Sequence, residues 1–322
     1  MSRTVMARLF LACHLLLTLA KLKIADYHSS FEGDPDVFLV GVQKAGTTSL
    51  TDLFVEELSL YVVAVPGAET HFFSFHYNDE EFNKYIEGFN AHREEVGNRK
   101  SFDGSTTYFP HPIAFQRIKS LYSPESLRRK KFIIALREPT CREYSWFAHY
   151  YGECRKRHIA FCPHPGGPEF HDTFHDYVRR SKSRSWHHAS YLENLKSILE
   201  IIPRDQVFIY NFESMVSSHG DDLINRLLYF LGESAVYRRD HLLPQSNSMN
   251  SHYEGLDPKE PIHEVLCSDI RFLNQTYTAA NQGLVYFINS HPERPVSEPL
   301  FLPFTERFSE KCIDDDGTLV YL

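Results

Sequence analysis

The sequence predicts an α/β protein in which a central parallel sheet lies between two layers of helix. Three features lead there: short apolar runs recur along the chain, stretches with helical periodicity alternate with them, and a glycine-spaced loop, "VGVQKAGTTSL" at 40–50, joins the first run to the first helix. Strands that are apolar almost throughout are buried on both faces, as in a parallel sheet covered by helices. The chain has 322 residues, 42% hydrophobic and 24% charged, enough for one large core of this kind. A net charge of −8 argues against a general nucleic-acid binder and leaves room for a local basic cleft that holds a small polyanion.

Ahead of the first strand, Arg3 and Arg8 precede an apolar run from Leu9 to Ala20 that only His14 and Thr18 interrupt, and Lys21 closes it. The run is too short for the ~20 residues that span a bilayer. It suits the apolar region of a signal peptide, with Thr18 and Ala20 as small residues before a cut. Residues 1–25 are therefore expected to be a signal peptide or short signal-anchor, with a buried amphipathic helix as the other reading.

Strands are expected at 36–42 ("DVFLVGV"), 61–65 ("YVVAV"), 131–138 ("KFIIALRE") and 205–213 ("DQVFIYNFE"), with a short one at "SFDGS". Helices are expected at 47–59, 79–88, 113–121, 142–154, 190–200 and 221–231. The Pro/Gly segment 162–172 and the turn-rich segment 242–261 have no period and read as substrate or cofactor loops. A long helix or a helix pair follows Pro261. The domain so outlined covers 34–290, and 291–322 reads as an extended C-terminal tail. In such a sheet, ligands belong at the carboxyl ends of the strands.

Six cysteines fit a secretory route. Cys13 lies in the leader, Cys154 with Cys162 and Cys267 with Cys312 are the expected pairs, and Cys141 is left over; spacing alone does not fix connectivity. Asn274-Gln275-Thr276 is a glycosylation sequon set in a helical pattern. Eighteen histidines are scattered without a metal-binding spacing, so no metal is expected.

The loop at 40–50 carries the chemistry. Gly41 and Gly46 keep the G-x-x-x-x-G spacing that lets backbone N–H groups approach an anion at a helix start. A nucleotide-hydrolysing loop of this type continues with lysine and then a metal-binding hydroxyl. Here Thr47 and Thr48 follow the second glycine, and Lys44 stands two places before it. Nucleotide hydrolysis is thereby disfavoured, whereas a phosphosulfate would still be held. A second element, "LREPTCREYSWF" at 136–147, sets Arg137 at a strand end, Pro139 at a helix start and Ser145 eight residues after the arginine. That pattern can aim a guanidinium fork and a hydroxyl at one phosphate. The plainer readings are a turn that merely uses glycine and an arginine paired with Glu138.

Together the two segments resemble the sulfotransferases that use 3′-phosphoadenosine 5′-phosphosulfate (PAPS). "QKAGTTSL" is similar to that family's 5′-phosphosulfate loop, and Arg137-x-Pro139-x-x-Arg142-x-x-Ser145 to its 3′-phosphate motif. The resemblance implies a P-loop-like three-layer sandwich. It implies that Lys44, Ala45, Gly46, Thr47, Thr48 and Ser49 hold the phosphosulfate, while Arg137 and Ser145 hold the 3′-phosphate. "AETHFFSF" at 68–75 is similar to the Glu-x-His-Phe-Phe segment of the Golgi heparan sulfate branch. "DGSTTYF" at 103–109 resembles that branch's Ser/Thr-Pro-x-Tyr segment, with Thr106 in place of the proline and no lysine before Ser105.

On this resemblance Glu69 is the expected general base, with His71 the second candidate, and Lys44 the cation at the bridging oxygen. Asp103, Ser105 and Tyr108 are expected at the acceptor, a glycan or other hydroxyl- or amine-bearing molecule, with Asp103 and Ser105 as caps of the helix at 113 the other reading. The expected location is the Golgi lumen or secretory pathway, with the N-terminus as the anchoring segment, no metal and no nucleic-acid partner. Two other readings stay open, a P-loop nucleotide kinase or NTPase and an inactive carbohydrate-binding relative.

Overall fold

The computed structural model describes residues 35–65, 68–96, 99–157, 173–180, 189–234, 236–238, 264–305, 308 and 311–321. The leader, Cys162 of the expected Cys154–Cys162 pair and the two turn-rich loops at 162–172 and 242–261 lie outside them. A five-stranded sheet runs in the order β2-β3-β1-β4-β5, with every neighbouring pair parallel. Its strands are β1 (Val37–Gly41), β2 (Tyr61–Val62), β3 (Lys100–Asp103), β4 (Lys131–Leu136) and β5 (Val207–Asn211).

Strand parity separates the two faces. Phe38 pairs in register with Phe132, and the rings stack at 5.2 Å with Phe115 of α4 (Pro112–Leu121) 6.1 Å from Phe132. Val37 pairs with Phe102 and so faces the other way. There Phe54 meets Phe102 at 6.1 Å, and Phe208 meets Phe230 of α10 (Gly220–Phe230) at 5.3 Å. Helices on both faces give the expected three layers.

The elements differ from expectation where local chemistry intervenes. The helix expected at 47–59 is α1 (Thr47–Asp52), which widens into a π-helical turn over Leu53–Glu57. The first short helix after β2 is α2 (Phe72–Phe75). Next, α3 (Asp79–Val96) continues past Gly88, because that glycine does not end it; a Cβ there would stand 2.8 Å from the Ala64 carbonyl oxygen. A helix not expected, α5 (Pro124–Arg129), starts where the Ser123 hydroxyl accepts from the Ser126 N–H. The next, α6 (Pro139–Arg157), opens three residues before the expected 142, with proline in its first turn, where its missing N–H is tolerated. The last strand stops at Asn211, whose side chain accepts from the Glu213 N–H and starts α9 (Phe212–Val216). Two further helices, α7 (Phe174–Arg180) and α8 (Tyr191–Leu199), lie between α6 and β5.

The late helical pattern is a pair, α11 (Cys267–Ala280) and α12 (Leu284–Asn289), divided at Gly283 with φ 85°. The segment beyond, expected as an extended tail, is docked on the domain. Glu298 is buried against Arg204 with a contact of 2.5 Å, and a two-stranded hairpin, β6 (Cys312–Ile313) with β7 (Leu319–Val320), follows. Cys267 and Cys312 stand at bonding distance, S–S 1.99 Å. No helix among the described residues is long and apolar enough to cross a membrane.

Candidate active site

β1 ends at Gly41 because the chain after β3 crosses it: a Cβ at Gly41 would lie 2.7 Å from Cβ of Phe109 and 3.0 Å from the Thr106 carbonyl oxygen. The loop then turns through left-handed Lys44 (φ 69°) and Gly46 (φ 74°) into α1. Only glycine fits at 46, since a Cβ would meet Met215 and Phe212 of α9 at 2.6 Å. Ala45, Thr47 and Ser49 are buried and Thr48 is exposed. Gln43 Oε1 is buried with no hydrogen-bond partner among the described residues, so the loop retains a polar group suited to a polar ligand.

The second motif is locked onto this loop. Arg137, just past β4, donates from Nη1 to the Lys44 carbonyl oxygen at 3.1 Å, and its guanidinium lies 4.9 Å over the Phe212 ring. Tyr191 fixes the same turn by donating to the Arg137 carbonyl oxygen at 2.8 Å. Arg142, fully buried, donates from Nε to the Gln43 carbonyl oxygen at 3.1 Å. It is ion-paired with Glu143, which accepts from the Tyr177 hydroxyl at 2.7 Å. Both motif arginines thus hold the backbone of the anion loop, a role their spacing did not reveal for Arg142. Ser145 is buried at 4% exposure one turn further along α6.

The turn before α2 brings in Glu69 and His71. Its three residues dock in succession on the segment after β3. Glu69 Oε1 accepts from the Thr106 hydroxyl at 2.7 Å. The Thr70 and His71 N–H groups both donate to Ser105 Oγ at 2.9 Å. His71 Nδ1 and Thr107 Oγ1 share a 3.0 Å hydrogen bond, and its Nε2 lies 3.4 Å from Glu69 Oε2. The Glu69 side chain is 40% exposed and otherwise crowded by protein. That crowding raises its pKa, opposed by the donors of Thr106 and by the Lys44 ammonium. Burial lowers the pKa of His71, which favours a neutral imidazole.

Asp103, Ser105 and Tyr108, expected at the acceptor, are all fully buried. Asp103 accepts from the Ser105 N–H at 3.0 Å and from the hydroxyls of Ser105, Tyr108 (2.9 Å), Tyr85 (3.0 Å) and Thr70 (3.2 Å). The Asp103 oxygens are satisfied by donors inside the protein, and the three residues brace the turn that carries Glu69. Burial raises the Asp103 pKa, and the bonds from Ser105, Tyr108 and Tyr85 oppose the rise. Sequence reasoning missed Thr70, Tyr85, Thr106 and Thr107. The run of hydroxyls at 105–108 was the available signal. Among the described residues, no group of three or more His, Cys, Asp or Glu could hold a metal ion.

A parallel sheet with a glycine-spaced loop after its central strand, buttressed by arginines from the end of the neighbouring strand, defines the class as a P-loop-like α/β protein. Residues 34–249 match the sulfotransferase domain family, and the chain belongs to that family. The bifunctional heparan sulfate N-deacetylase/N-sulfotransferase 1 of Caenorhabditis elegans is 30% identical over 118 residues, 36% of this chain and 13% of that protein. Its Xenopus laevis counterpart is 31% identical over a stretch of the same length. The chain thus spans about 13% of the length of these curated relatives. A sulfotransferase from Alicyclobacillus acidocaldarius shares the fold, with a TM-score of 0.53 at 21% identity over 79% of this chain and 97% of that one.

Proposed function

We propose that the protein transfers a sulfuryl group from PAPS to a hydroxyl or amine of a carbohydrate, in the secretory pathway. The observation that carries the reading is the 3.1 Å contact from Arg137 to the Lys44 carbonyl, which sets the two motifs side by side, as binding of one dianionic nucleotide by both would require. Family membership supports PAPS as donor, and the absence of a lysine after Gly46 weighs against a kinase or NTPase. The carbohydrate acceptor is supported by the relatives' names, and the secretory location by the leader pattern and the Cys267–Cys312 contact.

When bound, PAPS supplies an activated sulfuryl group on a phosphate leaving group. The backbone and hydroxyls of residues 45–49 bind the phosphosulfate, and Lys44 offsets the charge that develops on the bridging oxygen. Arg137 and Ser145 bind the 3′-phosphate. Glu69, 40% exposed, would take the proton of the acceptor hydroxyl or amine that receives the sulfuryl group. His71 is the second candidate for that proton, and its burial-lowered pKa leaves it in the basic form. The test is transfer of labelled sulfate from PAPS to a panel of glycans by the full chain. Label on at least one glycan is expected; PAP binding with no transfer to any acceptor would favour an inactive binding relative.

A further inference from the structure

At position 106 the resemblance calls for proline, a residue with neither N–H nor hydroxyl, and this chain has threonine. Thr106 is 2% exposed, and its hydroxyl donates to Glu69 Oε1 at 2.7 Å. Its backbone N–H acts on the same carboxylate. A proline would remove both donors. With Oε1 held by Thr106, Oε2 stands 3.4 Å from His71 Nε2.

We propose that Thr106 is a positioning residue for Glu69: its hydroxyl fixes Oε1 and leaves Oε2 to meet the acceptor's proton. The inference rests on the reading of Glu69 as base. The need for such a donor is local. Crowding drives the Glu69 pKa up, and the hydroxyl and N–H of Thr106 are the largest opposing influences, ahead of the Lys44 ammonium. Among the described residues, His71 lies beside Glu69, Asp103 and His76 at the end of α2 act on His71, and Arg117 donates to the Phe73 and Ser74 carbonyl oxygens of α2. Thr106 differs from Ser105, whose hydroxyl serves the backbone of 70 and 71.

Steady-state kinetics across pH with PAPS and an accepted glycan separate this role from mere support, using wild type, T106V, T106S and E69Q. T106V removes a hydrogen bond to a charged group and should lower kcat about tenfold or more below neutral pH. The loss should shrink as pH rises, because the acid limb moves to higher pH, while KM for PAPS and affinity for PAP stay near wild type. T106S should restore the profile. T106A, which adds no bulk, should behave as T106V. A loss by the same factor at every pH in T106V and T106A, or no loss, would overturn the proposal. An E69Q enzyme with wild-type turnover would remove the base and this inference together; an inactive E69Q beside an unmoved T106V profile would remove only this inference.

Discussion

Arg137 has two tasks that a substitution separates. It donates to the Lys44 carbonyl oxygen, and in the proposed complex it also grips the 3′-phosphate. Hydrogen bonds to charged groups contribute ~1.5–3 kcal/mol, so Arg137→Ala should weaken PAP binding by roughly one to two orders of magnitude. Adenosine 5′-phosphosulfate lacks the 3′-phosphate and should lose only what the loosened loop costs. Calorimetric titration of both ligands decides the matter. A substantially larger loss for PAP is expected, and equal losses would make Arg137 a strut for the loop alone. Arg142, buried and paired with Glu143, is already such a strut.

At the scale of elements, the strong periodic signals carried over and the local ones did not. β1, β4 and β5 were legible because each is an unbroken apolar run, buried at nearly every position. β3 read only as a short strand at "SFDGS", yet it lies inside the sheet between β2 and β1. Its sequence, Lys100–Asp103, is polar at three of four positions: Asp103 anchors a hydroxyl network and Lys100 reaches Glu233 at 2.6 Å. The anion loop and the Arg137 motif were legible as glycine and arginine spacing. The network that aims Glu69 was not, since contacts such as Glu69 to Thr106 join residues 37 apart and follow from the pairing of β2 with β3. The same separation hides the burial of Asp103, Ser105 and Tyr108, which residue type and spacing do not reveal.

For the molecule as a whole, the segment after residue 290 is part of what holds the sheet. Glu298 accepts from Arg204 Nη1 at 3.1 Å and from the Ile209 N–H of β5 at 2.7 Å, and both side chains of the ion pair are fully buried. Removing one partner of a buried pair leaves the other charge uncompensated and costs ~3–5 kcal/mol. Glu298→Ala should lower unfolding stability by about that amount in urea titration, and a chain ending at residue 290 should fail to fold. A change below about 1 kcal/mol would show that the edge of the sheet stands without this segment.

The central claim, that this site moves a proton as it moves a sulfuryl group, is tested most directly by the turnover of Glu69→Gln on an accepted glycan. Glutamine keeps the shape and the bond from Thr106 but has no basic oxygen. kcat should fall about 10²-fold or more, while affinity for PAP holds, because the lost interaction belongs to the transition state. In the wild type, crowding raises the Glu69 pKa, so activity should be lost as pH falls through a value above the ordinary carboxylate range. A Glu69→Gln enzyme that turns over near the wild-type rate, with His71→Ala inactive in its place, would contradict the account.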